Sequence, residues 1–387
     1  MYDFADRVSA VKPAAPFVIS NLVTELEEAG EDIVDFSVGQ PDFETPENIV
    51  EATKAAIDAG HTGYTPSNGI SALRRSICEH KLRARDGLDY EPENIVVTPG
   101  GKHALYETVQ ALVEPGDEVV LIDPVWSSYE PFVKLAGGEA VHVDLAPYDL
   151  KLEPGLDDLE AAVTDDTALI MVNSPNNPSG MVFSDAAFEG VRDLAVDNDV
   201  LVIADEIYNE FIYSGERQTS LASLDGMWER TITINGFSKS HCMTGFRLGY
   251  LAAPEEIVDQ VGKVHSHSVS CAGNFIQHAG IEALEGTDTD AFTGEMVETY
   301  RRRRDLLVEL FEERGFDMPV PEGAFYAMIP IETDDDMAWC KRAAREAKVG
   351  LVPGSAFNTP GYARASLVEP RERTREGVER LADAGFI

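Results

Sequence analysis

The sequence predicts an α/β protein: a large domain on a mainly parallel seven-stranded sheet, then a smaller α+β domain. Two observations carry that reading. Between about residues 95 and 252, seven short β-rich runs alternate with helical patterns. Such alternation builds a parallel sheet covered by helices. In the last hundred residues the pattern changes to one long helical stretch followed by scattered strand-like runs. A chain of 387 residues also exceeds what one simple core accommodates.

Taken in order, residues 1–45 read as a helix and an arm rich in turn signals, ending Val38-Gly39-Gln40-Pro41-Asp42. Residues 46–288 are assigned to the large domain and 289–387 to the small one. The seven runs are 95–98, 118–122, 140–143, 168–172, 200–204, 231–234 and 248–251. Most are continuously apolar, as strands covered on both faces are. Helices are expected between them, for example over 102–113 and 186–197. The small domain is expected to contain a helix over about 289–313, a strand over 324–329 and a helix over 336–347. Strand-like runs at 350–352 and 364–367 and a final helix complete it. Arg301-Arg302-Arg303-Arg304 is no basic face. Consecutive helical positions point about 100° apart, so these arginines are expected to pair with nearby acids.

Composition narrows the function classes. There are 69 acidic and 31 basic residues, a formal net charge of -38. Such a surface repels nucleic acid and anionic lipid, and it repels itself at low salt. The acid is spread along the chain, which reads as adaptation to a salty cytoplasm; an ordinarily acidic enzyme is the plainer alternative. No apolar run reaches the ~18 residues of a membrane helix, and no signal peptide is visible, so a cytoplasmic location is expected. Cys78, Cys242, Cys271 and Cys340 are far apart and indicate neither a zinc site nor a disulfide framework. His265-Ser266-His267 lacks a third ligand at helpful spacing, so core or surface histidines are expected and no metal.

The polar residues that carry chemistry fall after strands, where α/β sheets bind ligands. The run 231–234 leads to Ser238-Lys239, with Arg247 eight residues further on. The run 168–172 leads to Asn173-Ser174-Pro175-Asn176-Asn177-Pro178, and 200–204 ends at Asp205-Glu206-Ile207-Tyr208. The run 95–98 leads to Pro99-Gly100-Gly101-Lys102, which opens a helix. A lysine amine at a strand end, with a guanidinium nearby, suits an aldehyde cofactor that carries a phosphate, and every other part of pyridoxal 5'-phosphate finds a partner. The phosphate suits the Gly100-Gly101-Lys102 turn, Ser238 and Arg247. Asp205 is the candidate to keep a pyridine nitrogen protonated. Tyr208 and Asn177 suit the ring oxygen, and Trp126 suits the ring face. Each signal is commonplace alone; their joint order carries the information.

On these motifs the chain resembles the fold-type-I pyridoxal-phosphate aminotransferases of class I/II, the family that includes aspartate aminotransferases. The resemblance runs over nearly the whole length, through Ser37 to Phe43, Tyr64 to Ile70, Thr98 to Lys102, Asn173 to Gly180, Asp205 to Tyr208, Ser238 to Arg247, Pro321 to Tyr326, Pro353 to Phe357 and Arg364. It implies that Lys239, Asp205 and Tyr208 are catalytic. It implies that Arg364 forks onto the substrate carboxylate, helped by Asn177 and the Gly39 backbone. Tyr64 resembles the tyrosine that reaches the phosphate of a neighbouring subunit, which implies a homodimer with shared sites. Asp123-Pro124 and Asn177-Pro178 match positions often cis in the family. Gly236 stands where many relatives carry a phosphate-binding hydroxyl, and Cys242 where a smaller residue is usual; Cys242 is expected to pack.

The implied reaction moves an amino group between an L-amino acid and a 2-oxo acid by a ping-pong course, with Lys239 as general base. Lys102 is the clue to substrate. It either accompanies the phosphate or, as in a subset of aspartate and prephenate enzymes, meets a distal carboxylate. L-aspartate with 2-oxoglutarate is the first expectation, and Lys12 offers further positive charge. Prephenate, aromatic amino acids or alanine are alternatives, as is a carbon–sulfur lyase or decarboxylase on the same scaffold. A nucleic-acid-binding regulator is opposed by the charge, and a nicotinamide dehydrogenase by the lack of Gly-x-Gly-x-x-Gly after the early strands.

Overall fold

In the computed structural model the chain is described over residues 4–13, 15–215 and 218–387, with the side chains of Arg85 and Asp86 excepted. Seven strands form the central sheet: β1 (Ile95–Thr98), β2 (Glu118–Asp123), β3 (Glu139–Asp144), β4 (Thr167–Asn173), β5 (Leu201–Asp205), β6 (Thr231–Gly236) and β7 (Gly249–Ala252). Their spatial order is β1-β7-β6-β5-β4-β2-β3. All neighbours are parallel except at β7, which runs antiparallel to both β1 and β6.

Side-chain alternation explains why the strands read as unbroken apolar runs. Val119, Leu121, Leu169, Met171, Ile203 and Ile232 enter one core. Their chain neighbours Val120, Ile122, Ile170, Val172 and Val202 enter another on the opposite face. Successive residues of a strand face opposite ways, so a sheet covered on both sides needs apolar residues at every position. The edge strand β3 is only partly buried.

The C-terminal region has its own core. Helix Thr289–Glu312 supplies Tyr300, Leu306, Leu307 and Phe311 to it. A three-stranded antiparallel sheet joins Val352–Pro353, Tyr362–Ser366 and Tyr326–Pro330. That last strand begins two residues later than its apolar run, because Ala324 takes a left-handed φ of 52°. Ile19 and Val23 of helix Ala15–Glu28 enter the same core. Val34–Asp35 pairs in parallel with Val349–Gly350, so the N-terminal arm is tied to this region. Arg303 forks onto Asp42 at 2.9 and 2.8 Å, whereas Arg301 and Arg302 turn to Glu298 and Arg304 to Asp305. The four arginines thus pair with acids and form no single basic face.

Two peptide bonds are cis, Asp123-Pro124 and Ser174-Pro175. The first matches expectation. The second corrects it: the cis bond lies at the exit of β4, not at Asn177-Pro178. Among the described residues no helix is long and apolar enough to cross a membrane.

Candidate active site

The carboxyl ends of β4, β5 and β6 open onto a cavity of about 590 Å³. Its walls include Gly39, Gly101, Lys102, Trp126, Asn177, Asp205, Tyr208, Ser238, Lys239, Arg247 and Arg364. Those residues are far apart in sequence, and strand direction brings them together. β1 runs the same way as β6, since both oppose β7, so Thr98 and the following turn reach the same edge.

Asp205 ends β5, directly beside Asn173 of β4. Its Oδ2 accepts a 2.6 Å hydrogen bond from the Tyr129 hydroxyl, and its Oδ1 accepts one from the Ile207 N–H. Asn173 Nδ2 donates to the Asp205 carbonyl, and Asn173 Oδ1 accepts from the Asn177 N–H. Burial pushes the Asp205 carboxyl up to about 6, although Tyr129, Ile207 and the Lys239 charge pull the other way. The Tyr208 hydroxyl sits 3.0 Å from that of Tyr326 and is buried, which holds it protonated well above the ordinary range.

Lys239 follows β6 and donates to the Gly39 carbonyl at 2.6 Å. Its amine lies 5.8 Å from the centre of the Tyr208 ring. Burial, and then the charges of Arg364 and Arg247, bring it down to about 8, with Asp205 opposing. An amine so placed exchanges a proton near neutral pH.

Arg364 lies on the Tyr362–Ser366 strand and is buried. It donates to the Ser37 carbonyl at 2.8 Å and to Asn177 Oδ1 at 3.3 Å, and its plane lies over Tyr326 and Phe357. Both hydrogen-bond acceptors are neutral, and its Nε is buried without a partner. A buried guanidinium with an unused N–H calls for an anion, and a carboxylate satisfies it with a fork.

The Gly100-Gly101 turn is shaped for close approach. Gly100 has φ 90°, and a Cβ there would stand 2.6 Å from an Arg247 nitrogen. Gly249 of β7 passes beneath, where a Cβ would meet the Gly101 nitrogen at 2.4 Å. Helix Gly101–Leu112 starts here without a side-chain cap, and its first two residues, Gly101 and Lys102, line the cavity. Arg247 donates to the Thr244 and Pro99 carbonyls and turns its charge to the same place. Lys102 Nζ lies 4.8 Å from the centre of the Trp126 ring, and burial followed by the Arg247 charge lowers its affinity for a proton.

Tyr64 stands apart. It is 90% exposed and does not line the cavity. Cys242 packs against Met296, with its thiol pushed up to about 12 by burial. Sequence reasoning gave no individual role to Tyr129, Tyr326, Asn173 or the glycine at 249. The first three act through contacts between distant segments. Gly249 had a signal, a glycine inside a strand, which marks close backbone approach.

The same sheet edge recurs in a known class of enzymes. The chain belongs to the aminotransferase class I and II family, whose sequence profile matches residues 31–381. It is an aminotransferase. It is 37% identical over 377 residues to the aspartate aminotransferase of Thermotoga maritima, covering 97% of this chain and 98% of that one. It is 38% identical over 386 residues to the aspartate/prephenate aminotransferase of Thermus thermophilus, with coverage of 99% and 98%. The Thermus thermophilus aspartate aminotransferase solved with maleate superposes with a TM-score of 0.94 at 37% identity, covering 99% of this chain and all of that one.

Proposed function

We propose that this aminotransferase uses pyridoxal 5'-phosphate to move an amino group between L-aspartate and 2-oxoglutarate. The observation that carries the reading is the buried Arg364 with its unpartnered Nε, facing a cavity that also holds the Lys239 amine. The cavity residues fit the coenzyme. The glycine turn at 100–101, Ser238 and Arg247 would hold its phosphate, and Asp205 its ring nitrogen. Tyr208 and Asn177 would meet the ring oxygen, and Trp126 the ring face. When bound, the coenzyme supplies an aldehyde for Lys239 and a ring that takes up electrons. Arg364 and Asn177 orient the substrate carboxylate, with the Gly39 backbone beside them. Lys239 takes and returns the α-proton, for which a pKa of about 8 suits it.

Lys102 supports an acidic donor, because its ammonium lies on the cavity wall next to Trp126. Prephenate is the second reading, favoured by the name of the Thermus thermophilus relative. Tyr64 supports a homodimer with shared sites, since a side chain so exposed at this loop is free to reach a second subunit. The division at residues 45 and 288, a cytoplasmic location and adaptation to high salt belong to the same reading. The test is a donor and acceptor panel in molar salt, comparing wild type with Lys239→Ala and Lys102→Ala. Lys239→Ala should lose turnover for every donor. Lys102→Ala should lose roughly 10-fold or more in kcat/KM for aspartate and little for alanine. Equal losses for the two donors would remove the distal-carboxylate role.

A further inference from the structure

Behind the cavity wall, helix Gly101–Leu112 and helix Glu255–Ser268 meet across three ligating side chains. Glu107 and His265 are both fully buried, and His103, one turn before Glu107, is 27% exposed. His103 Nε2 lies 2.7 Å from Glu107 Oε1, and His265 Nδ1 lies 2.8 Å from Glu107 Oε2. The Ser268 hydroxyl donates to Glu107 Oε1 at 2.6 Å. Neither lysine nor arginine is among the hydrogen-bond partners found for Glu107. Burial raises the Glu107 carboxyl, but the hydrogen bonds of His103, His265 and Ser268 outweigh it and bring the group down to about 2.

We propose that His103, Glu107 and His265 form a binding site for one divalent transition cation of the zinc class. Three features point that way. The ligating atoms lie within 4.8 Å of one another. Tetrahedral ligands ~2.0–2.1 Å from zinc stand roughly 3.3 Å apart, so each histidine nitrogen would move off the Glu107 oxygens by about half an ångström while the two histidine nitrogens, within 4.8 Å of each other, draw together by a side-chain rotation. The second ring nitrogen of His265 faces the Ser67 carbonyl at 3.1 Å. A carbonyl there holds the proton on Nε2 and leaves Nδ1 as the ligand, as carbonyls behind ligating histidines do at metal centres. The exposed edge of His103 is the way in, and the fourth position falls to solvent or the Ser268 hydroxyl. Two imidazoles with one carboxylate favour zinc, cobalt or nickel over magnesium or calcium.

His265-Ser266-His267 pointed to no metal because the missing ligands come from a helix some 160 residues upstream, while His267 itself is exposed. Through Ser67 the ion would also fasten the loop that carries Tyr64 to both helices. Protons compete with a metal ion for imidazole and carboxylate ligands, so binding weakens as pH falls.

The experiment uses chelator-treated holoenzyme in high salt, titrated with zinc by calorimetry and with cobalt by visible absorption. One ion per chain at pH 7.5 is expected, with a tetrahedral cobalt spectrum. His103→Ala, at a partly exposed position, should keep its circular dichroism and bind at least about 10-fold more weakly; Glu107→Gln should do the same. Lowering the pH to 5.5 should release the ion. The proposal is overturned by no stoichiometric binding. It is equally overturned by unchanged affinity in folded His103→Ala, which would place the ion elsewhere, for example at the stacked pair His61 and His278.

Discussion

Asp205 shows what a buried carboxyl costs its own fold. Its carboxylate is buried, and of the groups around it only the Tyr129 hydroxyl, the Ile207 N–H and the Lys239 charge favour ionisation. They do not offset burial, so the folded protein holds the proton up to about pH 6 while the unfolded chain releases it near 3.8. The sign follows from linkage. Between those values the unfolded state binds fewer protons, so stability falls as pH rises. The loss is complete above about pH 6 and amounts to on the order of 3 kcal/mol. Asp205→Asn keeps the acceptor for Tyr129 and removes the charge. In coenzyme-free protein it should unfold at the same denaturant concentration as wild type near pH 4. It should then gain on wild type up to pH 6 and keep that gain at pH 8. A gap that does not change with pH would refute this account. Arg364 carries a similar cost, since burial works against its charge and outweighs the help of Tyr326, Tyr208 and the Asp35 carboxylate. Under the proposed function both residues cost the fold stability and serve the reaction.

At the level of elements, the glycine turn depends on the strand beneath it. A methyl group on Gly249 would sit 2.4 Å from the Gly101 nitrogen and 2.6 Å from the Gly100 carbonyl carbon. Backbone cannot rotate away as a side chain does, so β7 or the turn must move. Gly249→Ala should therefore cost about 1–3 kcal/mol in urea unfolding and weaken coenzyme binding at the turn. A variant with wild-type midpoint and wild-type coenzyme affinity would show that the contact is not tight. The same turn marks the boundary of what sequence can reveal. The strands were legible because a doubly covered sheet demands continuous apolar runs, and the polar residues after them were legible because strands end at one edge. The antiparallel sense of β7 was not, since a run of apolar residues carries no direction. Arg364 was legible only through the family resemblance, because its burial comes from Tyr326, Phe357 and Ser37 on other segments. The Tyr129–Asp205 bond spans 76 residues and leaves no local pattern.

For the whole molecule the governing quantity is charge. Acidic residues exceed basic ones by 69 to 31, and many of the cations present are already committed to local pairs such as Arg373–Asp32 and Arg380–Asp32. Those two arginines hold Asp32 down to about 2, yet pairs this exposed are screened by solvent and contribute little to stability. They do not cancel a net charge of -38. Screening decides the balance. The Debye length is about 30 Å at 0.01 M salt and about 3 Å at 1 M. In dilute buffer the excess carboxylates act on one another across the whole surface; in molar salt each acts only on its neighbours. Local pairs weaken with salt too, but they are short-ranged, so relief of the long-range repulsion is the larger effect. The unfolding temperature should therefore climb steadily as potassium chloride is raised from 0.02 to 2 M, and dialysis into dilute buffer should cost secondary structure. Circular dichroism that stays constant down to low millimolar salt would mean that packing alone outweighs the repulsion, and the adaptation to a salty interior would fall with it.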